Sequence, residues 1–75
     1  MKPRIGDRVI VPWRTHRNGT QVIGGWQSRT VIATRGRDYV IVADRWGWER
    51  VCPVYEVKPY PRRRSDWPKV AWNGW

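Results

Sequence analysis

Arginine recurs in three short clusters of this sequence, and two of the clusters also contain tryptophan. They lie at residues 13–17 (WRTHR), 35–37 (RGR) and 45–48 (RWGW). Guanidinium groups bind phosphates, and a flat ring gives a nucleobase a stacking surface worth roughly 1–3 kcal/mol. These residue types therefore predict a nucleic-acid contact. The residues expected in it are Trp13, Arg14, Arg17, Arg35, Arg37, Arg45 and Trp46.

The charge balance favours the same interpretation. Fifteen basic residues face six acidic ones, which gives a net charge of +9, and twelve of the fifteen are arginine. Such an excess is typical of proteins that bind polyanions, and it does not separate DNA from RNA. The alternative is that the charge only keeps a tryptophan-rich chain soluble.

The C-terminal segment, residues 62–75, differs in composition from the rest. Its arginine run, Arg62, Arg63 and Arg64, is expected to extend the phosphate contact, with a solvated tail as the alternative. Three tryptophans follow: Trp67, Trp72 and Trp75. Exposed tryptophans invite aggregation and are common interface anchors. We expect them to bind a protein partner rather than to pack on their own domain.

No set of residues suitable for catalysis, metal binding or cofactor binding is present. The single histidine, His16, lies among arginines and is expected at the surface, and the single cysteine, Cys52, is expected to be buried. The six carboxylates are scattered along the chain, and Asp38 and Asp44 fit turn positions. The chain is therefore predicted not to be an enzyme.

The sequence also bears on the compartment. It contains no apolar stretch of about 20 residues, the length a membrane helix needs, and its N-terminus does not resemble a signal peptide. One unpaired cysteine fits a reducing environment. We expect a soluble, cytoplasmic protein without membrane contact.

Five short runs of β-branched and aromatic residues predict five strands. They cover residues 8–11, 29–34, 39–43, 49–52 and 56–59. Gly36 and Gly47 predict tight hairpin turns between the middle strands, and Asn18-Gly19 predicts a turn within a long bent arm over residues 12–25. Pro53 predicts a 3₁₀ turn over residues 53–55. One cysteine excludes an internal disulfide, and no Cys/His cluster suggests a structural metal. The seven tryptophans and three tyrosines are therefore expected to supply much of the small core, including one or two of Trp13, Trp26 and Trp48.

Two sequence segments carry a resemblance to a known fold group. Residues 5–11 (IGDRVIV) resemble the "GD-x-V-x-V" first strand of SH3-like barrels of the KOW and Tudor types, and residues 51–60 (VCPVYEVKPY) resemble their strand, 3₁₀, strand ending. The layout is most similar to the C-terminal domain of retroelement integrases. That resemblance implies DNA binding without sequence specificity, or contacts with other proteins.

The resulting prediction is an all-β chain with a small five-stranded SH3-like barrel at residues 1–61 and a basic, Trp-rich tail at residues 62–75. The predicted function is nucleic-acid binding of low sequence specificity. The alternative is a protein-interaction module, for example a virus-encoded regulator that docks on a host nucleic-acid machine such as RNA polymerase. A remote alternative is an enzyme resembling the plasmid-borne dihydrofolate reductases. Residues 49–52 (ERVC) lack the Gln and Tyr of their Val-Gln-Ile-Tyr motif, so that activity is not carried over.

Overall fold

A computed structural model describes residues 2–68, apart from the side chain of Arg64. Its five strands form one antiparallel sheet in the order β4-β3-β2-β1-β5. No α-helix occurs within these residues, which confirms the all-β prediction. The elements are β1 (Arg8–Arg17), β2 (Thr20–Arg35), β3 (Tyr39–Ala43), β4 (Glu49–Pro53), a 3₁₀ turn (Val54–Glu56), β5 (Lys58–Pro59) and a second 3₁₀ turn (Arg64–Asp66).

The turns lie where the sequence places them. Asn18 and Gly19 both have positive φ, 53° and 79°, as a type I′ hairpin turn requires. Gly36 also has positive φ, 65°, and the strands on either side pair from Arg35 with Tyr39 onward. The predicted hairpins are therefore confirmed. The arm is more regular than expected, because β1 and β2 stay paired along its whole length.

A bulge in the arm is linked to one tryptophan. The register of the β1–β2 pair shifts between Trp13 and Arg14, and the indole of Trp13 lies against the backbone of Gly24 and Gly25. A Cβ atom on Gly25 would be 2.6 Å from Nε1 of Trp13. The two glycines therefore make room for a ring within a strand, where a side chain would collide with it.

Side-chain contacts hold the two ends of the sheet near each other. Arg50 on edge strand β4 donates from Nη1 to the carbonyl oxygen of Pro12 on β1, at 3.3 Å. Arg14 on β1 forms an ion pair with Glu56 in the first 3₁₀ turn. Since β4 and β1 are separated by two strands in the sheet, these contacts require it to curve. The curvature is compatible with a small barrel-like fold.

The core of the described residues consists of small side chains, six valines and one cysteine, so the prediction of an aromatic core is wrong. It is formed by Val9, Val11, Val31, Val40, Val42, Cys52 and Val57. Trp48 is 77% exposed, and Trp13 and Trp26 are only partly covered. Within a tightly curved small sheet, β-branched residues fill the narrow interior at close packing, and an indole needs more room.

The opposite face of β1 is covered by the chain that follows β5. Ile10 points away from the valine core, yet it is fully buried. Pro61, Asp66 and Pro68 lie around it. The described part of the tail, residues 62–68, therefore lies close to the sheet.

Candidate nucleic-acid interface

The loop that joins β3 to β4, residues 44–48, is closed by hydrogen bonds. The carboxylate oxygen Oδ1 of Asp44 accepts from the backbone N–H groups of Trp46 and Trp48, at 2.9 and 3.0 Å. The backbone N–H of Asp44 donates to the carbonyl of Trp48, and that of Gly47 donates to the carbonyl of Asp44, both at 3.1 Å. Gly47 has φ of 87°, which few other residues adopt. The loop thus has a defined shape, and Asp44 has the predicted turn role.

The loop presents an arginine and a tryptophan stacked on each other. Trp46 is 70% exposed, and the guanidinium carbon of Arg45 lies 4.3 Å from the centroid of its ring. This is cation–π geometry, which favours a defined ring orientation. The indole of Trp46 is therefore accessible at the surface.

A basic groove of about 630 Å³ lies beside this loop. We call it the loop groove; it is lined by Arg8, Gln27, Ser28, Arg29, Thr30, Ala43, Asp44, Arg45 and Trp46. Arg8 donates from Nε to Ser28 Oγ at 3.1 Å, and Arg29 donates to Gln27 Oε1 at 2.6 Å. Within residues 2–68, none of the three lining guanidinium groups pairs with a carboxylate. Their charge is available to an anion.

A second groove of about 590 Å³ lies where the tail meets the sheet. We call it the tail groove; it is lined by Trp26, Tyr60, Pro61, Arg62, Arg63 and Trp67. The rings of Tyr60 and Trp67 meet edge to face, with centroids 5.6 Å apart. The guanidinium carbon of Arg8 lies 4.4 Å from the centroid of Tyr60.

Arg8 and Tyr60 connect the two grooves, since Arg8 lines the loop groove and stacks on a ring that lines the tail groove. The result is one continuous surface, which we call the basic track. Its cations are Arg8, Arg29, Arg45, Arg62 and Arg63, and its rings are Trp26, Trp46, Tyr60 and Trp67.

Other residues predicted for the contact lie elsewhere. Arg35 and Arg37 are at the β2–β3 turn, at the opposite end of β3 from the loop groove. Arg14 is ion-paired with Glu56, Arg17 is half-buried on the arm, and Trp13 rests on the two glycines with 37% of its surface exposed. The structure thus brings Arg45, Trp46, Arg62 and Arg63 into one surface and separates the others from it. The side chain of Arg64, and Trp72 and Trp75, lie outside the described residues.

Arg8, Arg29 and Tyr60 join the track although the sequence did not single them out. Arg8 is paired with Thr30, which is paired with Ala43 at the start of the loop. The three residues therefore lie in a row across three strands. Arg8 lies beside Arg45 only because the β1–β2 and β2–β3 pairs each have one particular register. The pattern of residues in the sequence does not determine these two registers.

Cys52 is buried, as predicted. Burial raises the pKa of its thiol, partly opposed by the positive charge of Arg50. Because folding favours the protonated thiol, the stability of the fold should fall as pH rises through the range in which the unfolded thiol ionises. We expect slow alkylation by iodoacetamide at mildly alkaline pH and fast alkylation after unfolding in urea. Equal rates in the two states would contradict this prediction.

Residues 2–68 contain no group of three or more His, Cys, Asp or Glu side chains placed to hold a metal ion. Nor do they contain a helix with the length and apolar character needed to cross a membrane.

Comparison with known proteins gave no match: no family model, no curated protein and no solved structure is significantly similar to this chain.

Proposed function

We propose that this chain is a nucleic-acid-binding module of low sequence specificity, with an SH3-like fold and the basic track as its contact surface. The strand order β4-β3-β2-β1-β5, with a 3₁₀ turn between β4 and β5, is the order expected for such a barrel. The motifs at residues 5–11 and 51–60 support the same assignment.

The continuity of the basic track carries the proposal. Five arginines lie along two grooves that are joined by the contact between Arg8 and Tyr60. The one acidic residue that lines them, Asp44, already accepts two backbone hydrogen bonds. Anionic phosphates along a strand can meet these guanidinium groups in succession, with charge-assisted hydrogen bonds. Surface salt bridges within the protein would compete for the same groups, and the track has none in residues 2–68.

Low specificity follows from the kind of contact. Phosphate contacts position a protein on nucleic acid but carry no direct sequence information. No recognition helix is present in the described residues to read base edges in a major groove. The proposal covers DNA and RNA alike.

Salt titration of binding tests the proposal. If the five arginines of the track neutralise five phosphates, log K should fall linearly with log [salt], with a slope of about −4.5 on duplex DNA and about −3.5 on single strands. Fluorescence anisotropy with labelled oligonucleotides of several sequences measures both the slope and the specificity. Absence of binding at low salt would refute the proposal, and a strong preference for one sequence would refute its low specificity.

A protein-interaction module is the second candidate, and one surface favours it. Tyr39 and Tyr55 are 46% and 83% exposed and line a groove of about 510 Å³ with Arg37, away from the basic track. Exposed aromatic side chains with arginine are typical interface anchors. If this chain is a viral regulator, the partner that binds this surface or the C-terminal tryptophans is a host nucleic-acid machine such as RNA polymerase. Tyr55→Ala would then abolish capture of that partner and leave nucleic-acid binding unchanged.

A further inference from the structure

We infer that Trp46 is a preorganised stacking platform for one unpaired base, so that the module prefers single-stranded over duplex nucleic acid. This inference rests on the proposed function and specifies its substrate class. It depends on how the loop at residues 44–48 holds the ring, and on what lies beside the ring.

The ring has one occupied face and one free face. Arg45 stacks over one face at 4.3 Å, and the side chain is nevertheless 70% exposed, so the second face is open to solvent. A flat, open face next to a cation is suited to a nucleobase, since every base has a π-face and arginine adds a cation–π contribution.

The ring is also held in place before any ligand binds. The carboxylate of Asp44 accepts a hydrogen bond from the backbone N–H of Trp46, which fixes the loop backbone there, and Arg45 packs on the indole and restricts its orientation. A side chain already fixed in orientation loses little conformational freedom on binding, so more of the stacking energy appears as affinity.

The position of Trp46 distinguishes it from the other exposed rings. It lines the loop groove together with Arg8 and Arg29, so a phosphate in the groove and a base on the ring can belong to one strand. Trp48 is equally exposed, at 77%, but it is not part of the groove lining. Tyr60 has Arg8 over its ring and Trp67 against it, which leaves it less available.

Trp46 favours single-stranded over duplex nucleic acid because its ring can stack only on a base that is accessible from outside. In a duplex each base is paired and stacked inside the helix, and bringing one onto an external ring requires unstacking at a cost of a few kcal/mol. In a single strand the base is already accessible. The arginines of the groove serve both forms, whereas Trp46 serves only the single strand.

The test compares three ligands and three variants. The ligands are a labelled oligothymidylate, a strand of the same length with abasic sugars, and a duplex of mixed sequence. Trp46→Ala should weaken binding to oligothymidylate by about fivefold to about a hundredfold and leave the other two nearly unchanged. Trp46→Tyr should restore much of the loss. Trp48→Ala is the matched control, with an equally exposed indole in the same loop, and should have no effect.

The outcomes separate this inference from the proposed function. Salt-dependent binding that Trp46→Ala does not alter, or a loss equal on all three ligands, would overturn the inference while the phosphate-binding function stands. Equal wild-type affinity for oligothymidylate and the abasic strand would also overturn it. Absence of binding to all three ligands would overturn both.

Discussion

Replacement of both Arg8 and Arg45 by glutamine is expected to lower affinity for nucleic acid by about a hundredfold at low salt, on every sequence alike. The two guanidinium groups line the loop groove without a carboxylate partner in the described residues, so each can bind a phosphate. A phosphate contact worth roughly 1.4 kcal/mol gives about tenfold in affinity, and its loss lowers the magnitude of the salt slope by about one. Anisotropy titrations at several salt concentrations measure both quantities.

The matched control lowers the net charge by the same amount, but at the other end of β3. Arg35→Gln with Arg37→Gln also removes two positive charges, but both residues lie at the β2–β3 turn, away from the loop groove. We expect a smaller loss, caused by the weaker general field of the protein. Equal losses in the two double variants would show that net charge alone governs binding. Arg8→Lys should keep most of the affinity, because it retains the charge.

The local part of the fold follows from the sequence, because its determinants lie close together in the chain. Asn18-Gly19 and Gly36 have the positive φ values that their turns demand, and each turn fixes the pairing of the strands beside it as far as the next bulge. The short runs of β-branched and aromatic residues between the turns then leave few other positions for the strands. The five strands and the 3₁₀ turn after β4 could therefore be predicted.

The candidate site could be predicted only in part, because it combines residues distant in sequence. Arg45 and Trp46 were visible as neighbours, whereas the approach of Arg8 depends on two strand registers at once. Composition also does not show which tryptophans are buried and which are exposed. The indole of Trp13 lies in the space left by the missing side chains of Gly24 and Gly25. The spacing of hydrophobic residues in the sequence does not reveal this kind of packing.

Trp67→Ala is expected to destabilise the fold, which is the largest effect on stability predicted for a single residue of the tail. The ring is half-buried and meets Tyr60 edge to face, an arrangement worth about 0.5–1.5 kcal/mol beyond the area it buries. A fully buried tryptophan costs about 3–5 kcal/mol on truncation to alanine, so we expect about 1–2 kcal/mol here. In a domain of this size the melting temperature should fall by roughly 5–15 °C.

Two further variants show whether the tryptophans of the tail stabilise the fold or bind a partner. Trp48→Ala removes an indole that is 77% exposed and should leave the melting temperature unchanged. Removal of residues 69–75 deletes Trp72 and Trp75 but keeps Trp67, and it tests their predicted role as partner anchors separately. If Trp67 packs on the sheet and the last two tryptophans bind a partner, the substitution lowers stability and the deletion abolishes only the partner contact. An unchanged melting temperature for Trp67→Ala would show that the edge-to-face contact with Tyr60 adds nothing to the fold, and would return Trp67 to the set of partner anchors.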